Sequence, residues 1–312
     1  LAPQPYMDNF LDKIFFRSRN LDYISQNLIN LTTQTPAKRI FEALNTYSES
    51  SEVRYVGGCV RKVIKKETVD DIDLATNLVP SEVCDALKKQ NINFYETGIQ
   101  HGTITAIIDD HKYEITSLRK DVSTDGRHAK VEFSSDWKED AARRDFSINS
   151  IYSDKNGNLF DPYNGKKDLE RGNINFIGES ENRIKEDYLR ILRYVRFFIN
   201  YSNHGHDLNI IRKIKKNIGG VSKLSSERLL DEFKKLTKSN AFLKIFNDKI
   251  SLELVEIIFP QLKNLENFKK LNSHAIHNLV KVDFIFLLSL LIVDGSDNTD
   301  YFLYKFNISK KD

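Results

Sequence analysis

One stretch constrains this chain more than any other: Tyr55-Val-Gly-Gly-Cys-Val-Arg61, followed ten residues later by Asp71-Ile72-Asp73. Gly57 and Gly58 release the backbone from the steric limits of L-residues, so a strand can turn sharply there and approach a ligand closely. Aspartates spaced i, i+2 point to the same face of a strand. Asp71 and Asp73 therefore project together, close enough to share a metal. Carboxylate oxygens suit Mg²⁺, which takes few protein ligands and fills its shell from water and phosphates. Glycines that admit phosphates, Arg61 to add charge and two carboxylates for a metal make the layout of a nucleoside triphosphate site. Neither half is specific alone, because Gly-Gly is a common turn and Asp-x-Asp is common in loops.

The 312 residues suffice for two or three domains. Cys59 and Cys84 are the only cysteines. They offer neither a disulfide framework nor zinc spacing, so a reducing cytoplasm is expected. The apolar run from Phe284 to Val293, interrupted by Ser289, is far below the ~18 residues of a membrane span and reads as a buried helix. No secretory signal is read at the start, which opens on Leu1. The net charge of +3 is unevenly spread. Residues 166–240 hold 17 Lys and Arg against 10 Asp and Glu, a local +7 that leaves −4 for the remainder. A basic middle beside an acidic metal site fits a polyanionic partner.

Residues 8–50 read as helical, with Phe10, Ile14 and Phe15, then Ile40, Phe41 and Leu44, at helical spacings. Strand signals follow at 52–56, 72–74, 103–108, 113–118, 131–133 and 148–153, with Asn156-Gly157 as a hairpin turn. Between two of these strands, residues 118–128 are charged and contain glycine, and read as a mobile loop carrying Arg119, Asp125 and Arg127. His128 in that loop reads as a solvent or phosphate contact rather than a base. From about Asp168 the period becomes 3.6 and stays so. The fold class expected is α+β: an N-terminal domain with a small mixed sheet, then an all-helical region.

Three further constellations bear on chemistry. Glu114, on a strand expected beside Asp71 and Asp73, completes a carboxylate triad. Arg143-Arg144-Asp145 offers two guanidinium groups for a triphosphate or ribose, or an aspartate that orients them. The segment from Lys185 to Phe197 reads as one helix, with Asp187 and Arg190 three apart on one face and Arg193 and Arg196 continuing at that spacing.

In order and rough spacing, Gly57-Gly58-Cys59-Val60-Arg61, Asp71-Ile72-Asp73, Arg143-Arg144-Asp145-Phe146 and Glu186-Asp187-Tyr188-Leu189-Arg190 resemble the class II tRNA nucleotidyltransferases. These are the CCA-adding enzymes of the poly(A) polymerase head-domain superfamily, and the resemblance runs from about residue 50 to 235. It implies a nucleotidyltransferase head over 1–165, a helical neck over 166–237 and a helical body over 238–312. It implies that Asp71 and Asp73 bind two Mg²⁺ ions, and that Gly57, Gly58 and Arg61 contact the incoming triphosphate. Arg143, Arg144 and Asp145 would help hold the nucleotide, Asp187 and Arg190 would read its base, and Arg193 and Arg196 would lie near its phosphates and sugar. The implied activity adds C, C and A to the 3′ end of tRNA from CTP and ATP. A bacterial poly(A) polymerase, a CC- or A-adding enzyme and an inactive RNA-binding module are the alternatives. The loop from Arg119 to Arg127 resembles that of enzymes able to switch to A.

The base reading also has a physical logic of its own. Cytosine and adenine both present an exocyclic amino donor and a ring-nitrogen acceptor, whereas uracil and guanine present a carbonyl and a ring N–H. A carboxylate accepts from the amino group and a guanidinium donates to the ring nitrogen. Asp187 with Arg190 thus suits C and A and sets like groups against U and G, a mismatch that can reject strongly.

Overall fold

A computed structural model describes residues 22–124, 129–239, 241–279 and 281–308. Phe10, Ile14 and Phe15, and the loop residues Asp125, Arg127 and His128, lie outside the described residues. In chain order the first half forms α1 (Tyr23–Thr33), α2 (Ala37–Asn45), β1 (Val53–Val56), α3 (Gly58–Ile64), β2 (Ile72–Thr76), α4 (Pro80–Lys89), β3 (Asn93–Gly98), β4 (Thr103–Ile108) and β5 (His111–Ser117). Next come β6 (Arg119–Thr124), β7 (Ala129–Phe133), α5 (Trp137–Ala142), β8 (Tyr152–Ser153) and β9 (Leu159–Phe160). Then follow α6 (Gly165–Arg171), α7 (Ser180–Glu186), α8 (Leu189–Tyr201), α9 (Leu208–Asn217) and α10 (Ser226–Thr237). The last helices are α11 (Lys249–Ile258), α12 (Ser273–Leu279), α13 (Phe284–Ile292) and α14 (Asn298–Phe306).

Two compact units emerge. One holds residues up to 117 together with 152–160, and the other holds 118–151 and 161–312. The first is built on a seven-stranded sheet of order β3-β4-β5-β2-β1-β8-β9. Its pairing of β2 with β5 is parallel and the others are antiparallel, so the sheet is mixed as the sequence predicts. In β4 the buried residues Ile104, Ala106 and Ile108 alternate with partly exposed ones, the signature of a sheet covered on one face. Asp22 caps α1 by accepting from the Ser25 N–H at 2.8 Å. In α4, Pro80 takes the first turn, where its missing N–H is harmless, and Glu82 reaches back to the Val79 N–H at 3.0 Å.

The second unit is helical apart from the β6–β7 hairpin. Its centre is aromatic. Phe146 is fully buried, with Phe176 at 4.6 Å and Phe197 at 5.4 Å between ring centroids, and Tyr194 stacks on Phe176 at 6.1 Å. α8 buries Leu189, Ile191, Leu192, Tyr194, Val195, Phe197, Phe198 and Ile199, so its arginines fall on the remaining face.

Several sequence expectations change. The helix read across Lys185–Phe197 is two helices. Asp187 sits between α7 and α8 in an extended conformation (φ −153°, ψ 105°), and its carboxylate accepts from the Leu189 N–H at 3.1 Å. Aspartate competes with helix in this way because its short side chain can satisfy the free N–H groups of a new helix. The loop read over 118–128 is a strand from Arg119 to Thr124, paired antiparallel with 129–133. The strand read over 148–153 shrinks to Tyr152–Ser153, because Ser147–Asn149 closes a 3₁₀ turn. The helix expected to be buried, α13, hides Leu287, Leu288, Leu291 and Ile292 but exposes Phe286 and Leu290.

Removing the Phe146 ring leaves a void among rings that cannot collapse fully, so Phe146→Ala should lower stability by about 3–5 kcal/mol. Urea unfolding checks this, and a midpoint unchanged from the parent would contradict the packing assigned here.

Candidate active site

The first unit carries the carboxylates. Gly57 holds φ 67° and ψ −113°, a conformation open essentially to glycine, and this turns β1 into α3. A Cβ on Gly58 would lie 3.8 Å from Asp73 Oδ2 and 4.0 Å from Arg61 Nη2, so the Asp73 carboxylate and the buried Arg61 guanidinium converge on the bare glycine backbone. In the parallel β2–β5 pair, Asp73 is in register with Glu114, and in the β4–β5 pair Glu114 is in register with Thr105. These three residues form one row across the sheet, on the face opposite buried Tyr113 and Ile115. Asp71 lies one residue before β2 and is exposed. The neighbouring Asp70 is a different kind of carboxylate. Lys62 bonds to it, and that hydrogen bond holds its carboxyl below the usual range. The Cys59 thiol is pushed up to about 11 by burial and donates to the carbonyls of Val56 and Asp73, which ties α3 to β2 and leaves no nucleophile there.

Among the described residues no group of three or more His, Cys, Asp or Glu side chains is arranged to hold a metal ion by itself. A hard cation that uses one or two carboxylates and completes its shell from phosphates and water does not need such a group. Asp71 and Asp73, both oxygen donors at least partly open to solvent, fit that requirement.

The second unit carries Arg143, Arg144, Arg190, Arg193 and Arg196, and each of these five has an acidic partner. Asp140 on α5 is 1% exposed and accepts from Arg143 at 2.7 Å through one oxygen and from Arg144 at 3.1 Å through the other. The same carboxylate takes the backbone N–H of Arg119 at 3.4 Å, tying the β6–β7 hairpin to the arginines. Arg183 donates to the carbonyls of Arg143 and Arg144. Arg190 is not paired with Asp187; its Nη1 donates to Glu186 at 2.8 Å and to the Arg183 carbonyl at 2.8 Å. Asp187 Oδ2 accepts from Arg228 at 2.7 Å. Arg193 binds Asp145 at 2.6 Å and lies 3.6 Å from Glu232, which also holds Arg196. Asp145 thus orients Arg193 rather than its neighbours Arg143 and Arg144. Burial opposes ionisation of Asp145, but the Arg193 charge and hydrogen bonds from Asn149 and Arg193 outweigh it and hold the carboxyl well below the usual range.

With this arrangement in view, the likeness to known proteins is specific. The pattern of the "Poly A polymerase head domain" family matches residues 53–175, and that of the "Probable RNA and SrmB- binding site of polymerase A" matches 208–266. The chain is 39% identical over 231 residues to the CCA tRNA nucleotidyltransferase 1, mitochondrial, of Homo sapiens, a match covering 73% of this chain and 53% of that protein. This chain belongs to the poly(A) polymerase head-domain family. The CCA-adding enzyme of Lactobacillus delbrueckii subsp. bulgaricus is 36% identical over 207 residues, covering 66% of this chain and 51% of that protein. The chain therefore spans about half the length of the curated relatives it matches. The crystal structure of the Bacillus stearothermophilus CCA-adding enzyme in complex with CTP superposes with a TM-score of 0.69 at 26% identity, covering 88% of this chain and 66% of that one. An apo CCA-adding enzyme at 19% identity and TM-score 0.70 shares the fold.

Within this family fold, the sequence reading missed Asp140 and Glu232, two of the acids that hold the arginines. Asp140 stands three and four residues before Arg143 and Arg144, a helical spacing that could have revealed it. Glu232 and Arg228 are far from their partners in sequence and carry no local signal. In the basic stretch 166–240, Lys213 and Lys216 pair with Glu179 and Glu181 of the same stretch, while Lys215 takes Glu253 from outside it, so that one pair alone draws on the surplus among these three.

Asp145→Asn removes the buried carboxylate that holds the half-buried Arg193 and leaves it Glu232 at 3.6 Å, a loss of up to about 3 kcal/mol. Because the folded carboxyl is held low, its contribution is complete above the unfolded-chain value of about 3.9 and is lost as pH falls below it. Thermal unfolding from pH 7 to pH 3 should show a gap between parent and variant that narrows only below about pH 4. A gap constant across that range would contradict the pairing.

Proposed function

We propose that this chain is a template-independent tRNA nucleotidyltransferase that adds C, C and A to the 3′ end of tRNA from CTP and ATP, with release of pyrophosphate. The observation that carries the reading is the row of Asp73 and Glu114 in register across β2 and β5, beside the turn where Gly58 faces the Asp73 carboxylate and the Arg61 guanidinium. The names of the relatives support it. In this reading residues 1–165 are the head, 166–237 the neck with the base template, and 238–312 the body. Asp71 and Asp73 hold Mg²⁺, and Glu114 supports them from the adjacent strand. Bound there, two divalent ions would supply Lewis-acid activation of a hydroxyl and neutralise a triphosphate.

The remaining roles belong to the chain's own groups. Gly57 and Gly58 let triphosphate oxygens approach backbone N–H groups, and Arg61 adds a positive charge. Arg143 and Arg144, held by Asp140, hold the nucleotide, and Arg193 and Arg196 serve its phosphates and sugar. Asp187 accepts from the amino group of C or A, and Arg190 donates to the ring nitrogen. Arg119, Asp125 and Arg127 serve the switch from C to A. Among the described residues no helix is long and apolar enough to cross a membrane. The free, buried Cys59 and Cys84 suit a reducing compartment such as the cytoplasm, although the Homo sapiens relative is named mitochondrial.

The test supplies tRNA lacking its 3′ end, with CTP and ATP separately and together. C, C and A should be added, and then addition should stop. A long A tail would make the chain a poly(A) polymerase, a halt at C-C a CC-adding enzyme, and no incorporation would overturn the reading. Asp71→Ala and Asp73→Ala should each abolish addition with the fold retained by circular dichroism; near-normal activity in either would remove the metal assignment. Arg190→Ala should lose discrimination for C and A, and full rejection of UTP by that variant would count against the template role.

A further inference from the structure

Asp187 is the least conventional group in the arginine half, because it lies in the break between two helices rather than on either. Its backbone carbonyl accepts the Arg190 N–H at 3.1 Å, but that bond does not fix the direction of the carboxylate. Three contacts supply that. Its Oδ1 accepts from the Leu189 N–H at 3.1 Å, and its Oδ2 accepts from Arg228 Nη2 at 2.7 Å. Next to it, the Tyr188 ring lies flat on the backbone of Gly220. A Cβ on Gly220 would stand 2.1 Å from Tyr188 Cε1 and 2.3 Å from Cδ1 and Cζ, a separation no real pair of carbons adopts. Lys223 holds its ammonium 5.7 Å above the same ring. Gly220 and Lys223 belong to the 3₁₀ turn Ile218–Lys223, and Arg228 lies in the first turn of α10, so one short segment grips the break from one side.

We propose that Arg228, with Gly220 as the seat for Tyr188, is a positioning element that sets base selectivity by denying Asp187 rotation. The proposal rests on the reading of Asp187 and Arg190 as the base template. One fixed donor on each oxygen defines the plane of the carboxylate. The lone pairs that remain then face one direction, where an exocyclic amino group can meet them. A carboxylate free to turn could accept a ring N–H instead, and uracil and guanine offer one. Rotational freedom at Asp187 therefore admits the bases that a fixed carboxylate rejects. Neither Arg228 nor Gly220 needs to touch the nucleotide.

The experiment measures equilibrium dissociation constants for CTP, ATP and UTP on the full chain with Mg²⁺, in a double-mutant cycle of Arg228→Ala and Asp187→Ala. Arg228→Ala should narrow the CTP-to-UTP preference by about tenfold, chiefly through tighter UTP binding, as befits a mismatch no longer enforced. Arg228→Lys, which keeps a donor within reach of Asp187, should recover most of it. In the Asp187→Ala background, Arg228→Ala should change nothing further. Gly220→Ala should move the preference in the same direction as Arg228→Ala. A variant that weakens CTP, ATP and UTP equally would show a merely structural role and overturn the proposal, as would unchanged selectivity with Asp187→Ala itself showing a loss. If Asp187→Ala keeps full selectivity, the template reading fails instead, and the two failures are thereby told apart. Should Arg228→Ala not fold, the Lys variant and Gly220→Ala carry the comparison.

Discussion

Asp140, Asp145 and Glu232 are carboxylates withdrawn from water, and the placing of the arginines in the helical unit depends on them. A buried carboxylate is tolerated only when it is paired and its lone pairs are filled. Each therefore demands guanidinium partners in fixed positions: Arg143 and Arg144 on Asp140, Arg193 on Asp145, Arg196 on Glu232. Arginine suits this role because its planar fork stays charged and meets a carboxylate with two parallel bonds. The cost of burying the acids is offset by a set of cations held ready before any ligand arrives. Such preorganisation matters where a transferring group is stabilised chiefly by position and charge.

The same logic separates the two faces of α8. Its apolar residues enter the cluster around Phe146 and Tyr194, and the cluster fixes the helix against rotation about its own axis. Arg190, Arg193 and Arg196 are then presented together on the other face. A helix with arginines at this spacing but no packed face would leave them to solvent, where surface ion pairs contribute about 0–1 kcal/mol. The packing and the charges are one device. The aromatic core supplies the rigidity, and the buried acids convert it into the placement of individual nitrogen atoms.

Much of this was legible from residue patterns, and the part that was not has a common cause. Gly57-Gly58 and the Asn156-Gly157 hairpin are local signals, and the structure follows them, whereas of the Asp71-Ile72-Asp73 run only the last two residues enter β2. Strand propensity puts Glu114 on a strand beside Asp73, and the register pairs the two. The helix read through Asp187 failed because periodicity in the flanking residues continues across a break that one capping carboxylate creates. The charged composition of the hairpin at Arg119 resembles that of a loop, although its backbone pairs with 129–133. Arg228 and Glu232 could not be found at all, since their partners lie 41 and 36 residues away and only the fold joins them.

The central claim is that protein side chains, not a nucleic acid, select the base. It is tested most directly by a crystal structure of the chain with CTP and Mg²⁺. The account predicts the cytosine amino group on the Asp187 carboxylate and the ring nitrogen on the Arg190 guanidinium, with Asp187 still bound by Arg228. A base seated elsewhere, with neither Asp187 nor Arg190 within hydrogen-bonding distance of its pairing edge, would contradict it.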